Sequence, residues 1–174
     1  MKKLFAVMLA LCLLGSFALA DEVVEISWEQ VGNDTIMENG AFQQISIPDV
    51  GNIVYYVPNV MSAVDVSALQ ADVLPAAAYQ TEDGKFTLSV YALNITGLED
   101  YLTSLQGQGT ENFKNVKVNG IDCIAAENKT NGLDILIVPV TETMVLSFIY
   151  TPLDGDEGWD QMKSVMVASI QVAQ

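Results

Sequence analysis

From Lys114 to Tyr150 the chain alternates or clusters its apolar residues in short runs, and turn-forming pairs separate the runs. Asn119-Gly120 and Asn131-Gly132 each sit between two such runs. A two-residue hairpin turn needs positive φ at its central positions, and Asn and Gly reach that most cheaply. The pattern predicts consecutive antiparallel strands over 115–118, 121–127, 133–140 and 143–150. In the second, Ile121, Cys123 and Ala125 oppose Asp122, Ile124 and Ala126, because side chains alternate across a strand. The last two are apolar on both faces, as strands covered from both sides are. Pro139 lacks an N–H and is expected at a strand end, a bulge or an edge.

The same reading extends to the rest of the chain. Ser27 and Gln30 fit a capping box that opens a short helix, ended by Asn39-Gly40. Residues 41–47 and 53–57 read as a hairpin turned at 48–52. From Asn59 to Leu74 no period emerges, and 67–74 is expected to form one or two helical turns before Pro75. Strands follow at 76–81 and 86–93, joined by a Glu82–Lys85 turn. Thr96 and Glu99 fit a second capping box. Behind it, Leu98, Tyr101, Leu102 and Leu105 fall at i, i+3, i+4 and i+7, a single apolar stripe. A last helix is predicted over 156–171, with Trp159, Met162, Val165, Met166 and Ile170 on one side. Together these elements predict an α+β protein: an antiparallel sheet of about six to seven strands packed with helices.

The first twenty residues have a different character. Lys2 and Lys3 precede an apolar run from Leu4 to Leu14, and Ala18-Leu19-Ala20 forms a small-x-small cleavage site. This is the pattern of a bacterial secretory leader, cut after Ala20, with one domain over 21–174. Cys12 lies inside the leader behind Leu11, where a lipidated cysteine would want a small residue. No later stretch is apolar for long enough to span a bilayer.

Composition narrows the chemistry. The chain carries 22 acidic and 7 basic residues, a net charge of −15. Without Lys2 and Lys3, five basic residues face the same 22 acidic ones, a net charge of −17. That repels nucleic acid and anionic lipid and favours basic partners. The seven basic residues are all Lys, and there is no His. Serine–histidine catalysis, histidine zinc sites and bidentate arginine clamps are therefore excluded. Past the leader only Cys123 remains, so no internal disulfide forms, and its strand position marks it as a core thiol.

The element order resembles small exported bacterial domains of the PsbP-like fold, which the photosystem II extrinsic protein PsbP and the Mog-type Ran-binding protein share. The residues that carry the likeness are Leu98-Glu99-Asp100-Tyr101-Leu102, Val118-Asn119-Gly120 and the closing stretch from Met166 to Gln171. It spans roughly 41–171. It implies an αβα sandwich and, in several branches, a non-enzymatic role in binding other proteins. It brings no catalytic motif and no transferable partner surface.

Few residues suggest a site. Asp154, Asp156, Glu157 and Asp160 crowd around Gly155 and Gly158, and a hard cation such as calcium takes carboxylate oxygens from a flexible loop. Acidic residues at a helix start equally serve as caps and dipole partners. Glu82-Asp83 and Glu99-Asp100 are adjacent pairs whose side chains diverge, so neither is a ready acid/base couple. Tyr55, Tyr56, Tyr79, Tyr91 and Tyr150 fall on predicted strands, as core residues or as a binding patch. The expectation is an exported, non-catalytic module that binds a protein or cell-envelope ligand, with no catalytic residue and no cofactor. The alternative is a carboxylate-based hydrolase with a bound cation. Converging carboxylates would favour the second, and a shallow apolar surface the first.

Overall fold

The computed structural model describes residues 23–48, 50–69 and 73–173. The leader and its cleavage site lie outside them. Eleven strands and four α-helices are formed among the described residues. The strands are β1 (Val24–Ile26), β2 (Gly40–Ile47), β3 (Gly51–Pro58), β4 (Met61–Ala63), β5 (Ala77–Thr81), β6 (Thr87–Asn94), β7 (Glu111–Val118), β8 (Ile121–Asn128), β9 (Leu133–Thr141), β10 (Met144–Thr151) and β11 (Gln171–Ala173). The helices are α1 (Trp28–Val31), α2 (Asp34–Glu38), α3 (Leu98–Gly107) and α4 (Glu157–Ala168).

Eight strands form one sheet in the order β1-β7-β8-β9-β10-β6-β5-β4, and three form another in the order β11-β3-β2. The sheet is thus larger than the six or seven strands expected, and it is mixed, because β1 pairs parallel with β7. Both departures arise in short strands. β1, β4 and β11 have three residues each, too few to show an alternation, and their pairing partners define them.

The chain divides into two units. Of the described residues, the first holds those up to Asn59, Lys114–Asp122 and those from Gly155 onward; the second holds those of Val60–Phe113 and Cys123–Asp154. In the second unit, β6, β10 and β9 are neighbours along eight-residue and seven-residue registers, from Met144↔Asn94 to Thr151↔Thr87 and from Met144↔Thr141 to Tyr150↔Asp134. Both faces are buried as the doubly apolar pattern requires: Leu136, Ile137 and Val138 in β9, and Val145, Leu146 and Phe148 in β10. On one face Ile124, Ile135, Ile137 and Val145 receive Leu98, Tyr101, Leu102 and Leu105 of α3. The predicted helical stripe is the packed one. Its capping box does not form: Gly97 is the cap residue, and the Thr96 hydroxyl turns to Asp100 at 3.4 Å. Pro139 lies where the β9–β10 register shifts, between Met144 and Val145, which is a bulge position.

The first unit is built on the hairpin β2–β3, paired from Gly40↔Pro58 to Ile47↔Gly51, with β11 on the far side of β3. α4 packs on β3, with Trp159 and Met166 fully buried and Ile170 following just behind. Such side chains contribute roughly 1.5–3 kcal/mol each when buried. The helix ends at Ala168 rather than running to Gln171, because Gln171–Ala173 pair with Asn52, Ile53 and Val54 as a strand. The Ser169 hydroxyl accepts from the Tyr56 N–H at 2.7 Å and donates to the Met166 carbonyl at 2.6 Å, which closes the helix inside the core. The capping box at Ser27 does not form, and the predicted helix breaks into α1 and α2, the second capped by Asn33. Trp28 of α1 meets Phe42 and Tyr56 with ring centroids 5.3 Å and 5.9 Å away.

Asn119-Gly120 turns as predicted, with φ of 47° and 80° at its two residues. Asn131-Gly132 does not. Only Gly132 is left-handed there, and β8 stops at Asn128, whose side chain accepts from the Asn131 N–H at 3.1 Å. This makes a four-residue turn, because the Asn128 side chain satisfies the loop backbone.

Asn119 does more than turn the chain. Its side-chain oxygen accepts from the Trp28 N–H at 2.8 Å, and its amide donates to the carbonyls of Ala168 and Ile170, both at 2.7 Å. Removing that amide should be costly. Asn119→Gly keeps the positive φ but loses all three bonds, and should destabilise by about 2–4 kcal/mol. Asn119→Ala should cost about 1 kcal/mol more, the left-handed penalty of a Cβ. Urea midpoints of the two variants measure this, and equal midpoints for all three chains would contradict it.

Candidate functional site

The acidic group at 154–160 is dispersed among structural tasks. The Asp156 carboxylate accepts from the Trp159 N–H at 2.8 Å and caps α4. Asp160 sits one turn on, 3.6 Å from the ammonium of Lys163, whose side chain is 11% exposed. Glu157 is held by Gln161 at 3.4 Å. Asp154 is exposed in the second unit, where it adds to the negative field that raises the pKa of Lys129 behind the larger effects of Glu111. Among the described residues no group of three or more His, Cys, Asp or Glu side chains is disposed to hold a metal ion.

The acidic pairs diverge as adjacency implies. Glu99 and Asp100 lie in the first turn of α3. Asp83 closes the β5–β6 turn: its carboxylate accepts from the Thr81 hydroxyl at 2.7 Å and the Lys85 N–H at 3.2 Å, and pairs with the Lys85 ammonium at 3.0 Å. The Thr81 bond, then those of Lys85, lower its pKa to about 2. The tyrosines do not form a patch. Tyr55, Tyr56 and Tyr150 are buried in the core, and Tyr79 and Tyr91 are partly exposed. Tyr101 of α3 is half-buried; desolvation raises its phenol, which a hydrogen bond with Ser147 partly offsets. Cys123 is a buried thiol, as its strand position predicts.

What remains is apolar. In the second unit, Val60, Leu69, Val73 and Leu74 are 60%, 40%, 55% and 46% exposed, all within one segment bracketed by Pro58 and Pro75. The segment contains β4, the last strand of the large sheet, whose Ser62 and Ala63 are also exposed; Val60 precedes it, and Leu69, Val73 and Leu74 follow it. A 3₁₀ turn at Val66–Ala68, capped by Asp65, replaces the start of the helix expected over 67–74. Leu69 is already extended at φ −74°, ψ 133°, and residues 70–72 lie outside the described ones. Asp65 is held low by its bonds to Ser67. These apolar residues follow neither a strand nor a helix period, so alternation could not reveal them. The signal that could have is apolar residues between two prolines without a face to bury.

No family model matches the chain, and no curated protein matches it. A solved structure does. The chain is similar to the solution structure of cyanobacterial PsbP (CyanoP) from Synechocystis sp. PCC 6803, at 17% identity and a TM-score of 0.49, over 82% of this chain and 99% of that one. That protein bears the PsbP name that the sequence resemblance gave. At that identity the likeness concerns fold alone, and it does not bear on the Mog-type side of the resemblance. Among the described residues no helix is long and apolar enough to cross a membrane.

The Asp83 turn yields a pH prediction. A carboxyl with a depressed folded pKa stabilises above its unfolded value of 3.8, and this contribution fades as pH falls toward about 2. The Asp83 carboxyl should titrate near pH 2 in the folded chain when followed by carbon NMR. Thr81→Val should move that midpoint upward, and an unmoved midpoint would contradict the assigned cause.

Proposed function

We propose that the chain is an exported, non-catalytic interaction module that binds a protein partner through Val60, Leu69, Val73 and Leu74, on either side of β4. The observation that carries this reading is the exposure of Val60, Leu69, Val73 and Leu74 in one stretch. Exposed apolar residues scattered singly need no explanation, whereas their concentration marks contact sites. The partner that fits is a protein surface with apolar side chains ringed by lysine or arginine, because Asp65 lies between Val60 and Leu69 and the whole chain is acidic. Export follows from the leader pattern at 1–20, which delivers the domain to the cell envelope or medium.

The test is retention of envelope and medium proteins on the immobilised protein, compared with Leu69→Ser/Leu74→Ser. Both leucines are exposed, so the variant should keep its urea midpoint while retention of the partner falls roughly tenfold or more. Equal retention by the two proteins, or no retention above background in several ionic conditions, would overturn the reading.

A further inference from the structure

The two sheets end on four strands, β1 and β4 for the larger and β11 and β2 for the smaller. Three of these have three residues; β2 has eight. An open edge is a row of unpaired N–H and C=O groups, and proteins protect it with short strands, charges, prolines or bulges. β1, β4 and β11 are protected by length. β2 has none of these devices: Gly40-Ala41-Phe42-Gln43-Gln44-Ile45-Ser46-Ile47 contains no charge and no proline, and its register with β3 runs without a shift. No other described strand pairs with its outer side. In an antiparallel strand with a single partner, half of the backbone groups point away from that partner.

We propose that β2 pairs antiparallel with β2 of a second copy of this chain and joins two three-stranded sheets into one. Charge selects the occupant. Copies of net charge −15, or −17 without Lys2 and Lys3, repel over most approaches, and β2 is an eight-residue stretch with no charge. A foreign basic partner would gain nothing from charge along it. The symmetry follows from the pleat. A two-fold axis perpendicular to the sheet keeps like residues on like faces, so a residue on the axis lies opposite its own copy. The longest such overlaps within β2 span 40–46, with Gln43 on the axis, or 41–47, with Gln44 on it. This surface belongs to the first unit and is separate from the segment at 60–74.

Sedimentation equilibrium on the protein as its cell releases it tests this. The expected mass is that of two copies, and the dimer should strengthen as salt rises from about 20 mM to about 150 mM, because screening removes repulsion between like copies. At the glutamine on the axis, substitution by either Glu or Lys should weaken the dimer about tenfold or more, since each charge faces itself. Both positions lie on a partly solvated strand, and an unchanged urea midpoint shows that each variant is folded. A single-copy mass at every soluble concentration overturns the proposal. So does a dimer that Glu and Lys at both glutamines leave intact, and so does one that Lys strengthens while Glu abolishes it, since that partner face would be acidic. Leu69→Ser/Leu74→Ser should leave the dimer unchanged, which separates the two surfaces.

Discussion

The first unit depends on one side chain that hydrogen-bonds to three distant backbone groups. Asn119 sits in the left-handed region, where a short polar side chain costs least among non-glycine residues. From there its amide reaches the start of α1 and the end of α4, which lie 91 and 51 residues away along the chain or less. The Trp28 N–H and the Ala168 carbonyl are groups left without an intrahelical partner at a helix end, and the Ile170 carbonyl lies just past the end of α4. The Asn119 N–H also bonds the Ile26 carbonyl at 2.8 Å, which ties in the end of β1. The turn that reverses β7 into β8 thus also sets where the first and last helices of the unit begin and stop.

Around that clamp, packing is close wherever an aromatic ring meets a glycine. A Cβ at Gly40 would collide with the Tyr56 ring, and one at Gly155 with the Trp159 ring. The Tyr56 hydroxyl passes Gly40 to donate to the Ile36 carbonyl at 2.7 Å, which anchors α2 to the hairpin. These glycines serve approach rather than backbone freedom, since neither has a positive φ.

The parts of the fold legible in sequence were those whose residues repeat. The stripe of Leu98, Tyr101, Leu102 and Leu105, the doubly apolar β9 and β10, and the Asn119-Gly120 turn each carry a local pattern that their neighbours do not override. Three-residue strands have no period, so β1, β4 and β11 emerge only from their partners, and with β1 goes the parallel pairing that makes the sheet mixed. Capping boxes at Ser27 and Thr96 are local preferences that other local bonds displaced: the Gln30 N–H goes to the Ser27 carbonyl and the Thr96 hydroxyl to Asp100. The candidate surface was illegible for a related reason. Val60, Leu69, Val73 and Leu74 are apolar without facing a core, and sequence patterning assumes that apolar residues do.

Asn128 shows how the second unit holds a corner with side-chain hydrogen bonds. It is 3% exposed; its amide donates to the Gln108 carbonyl at 3.1 Å while its oxygen fixes the Asn131 N–H. The exit of α3 and the β8–β9 turn therefore share a single polar pin. Loosening one end frees the other, so hydrogen exchange at these two loops should rise and fall as a single opening event rather than as two.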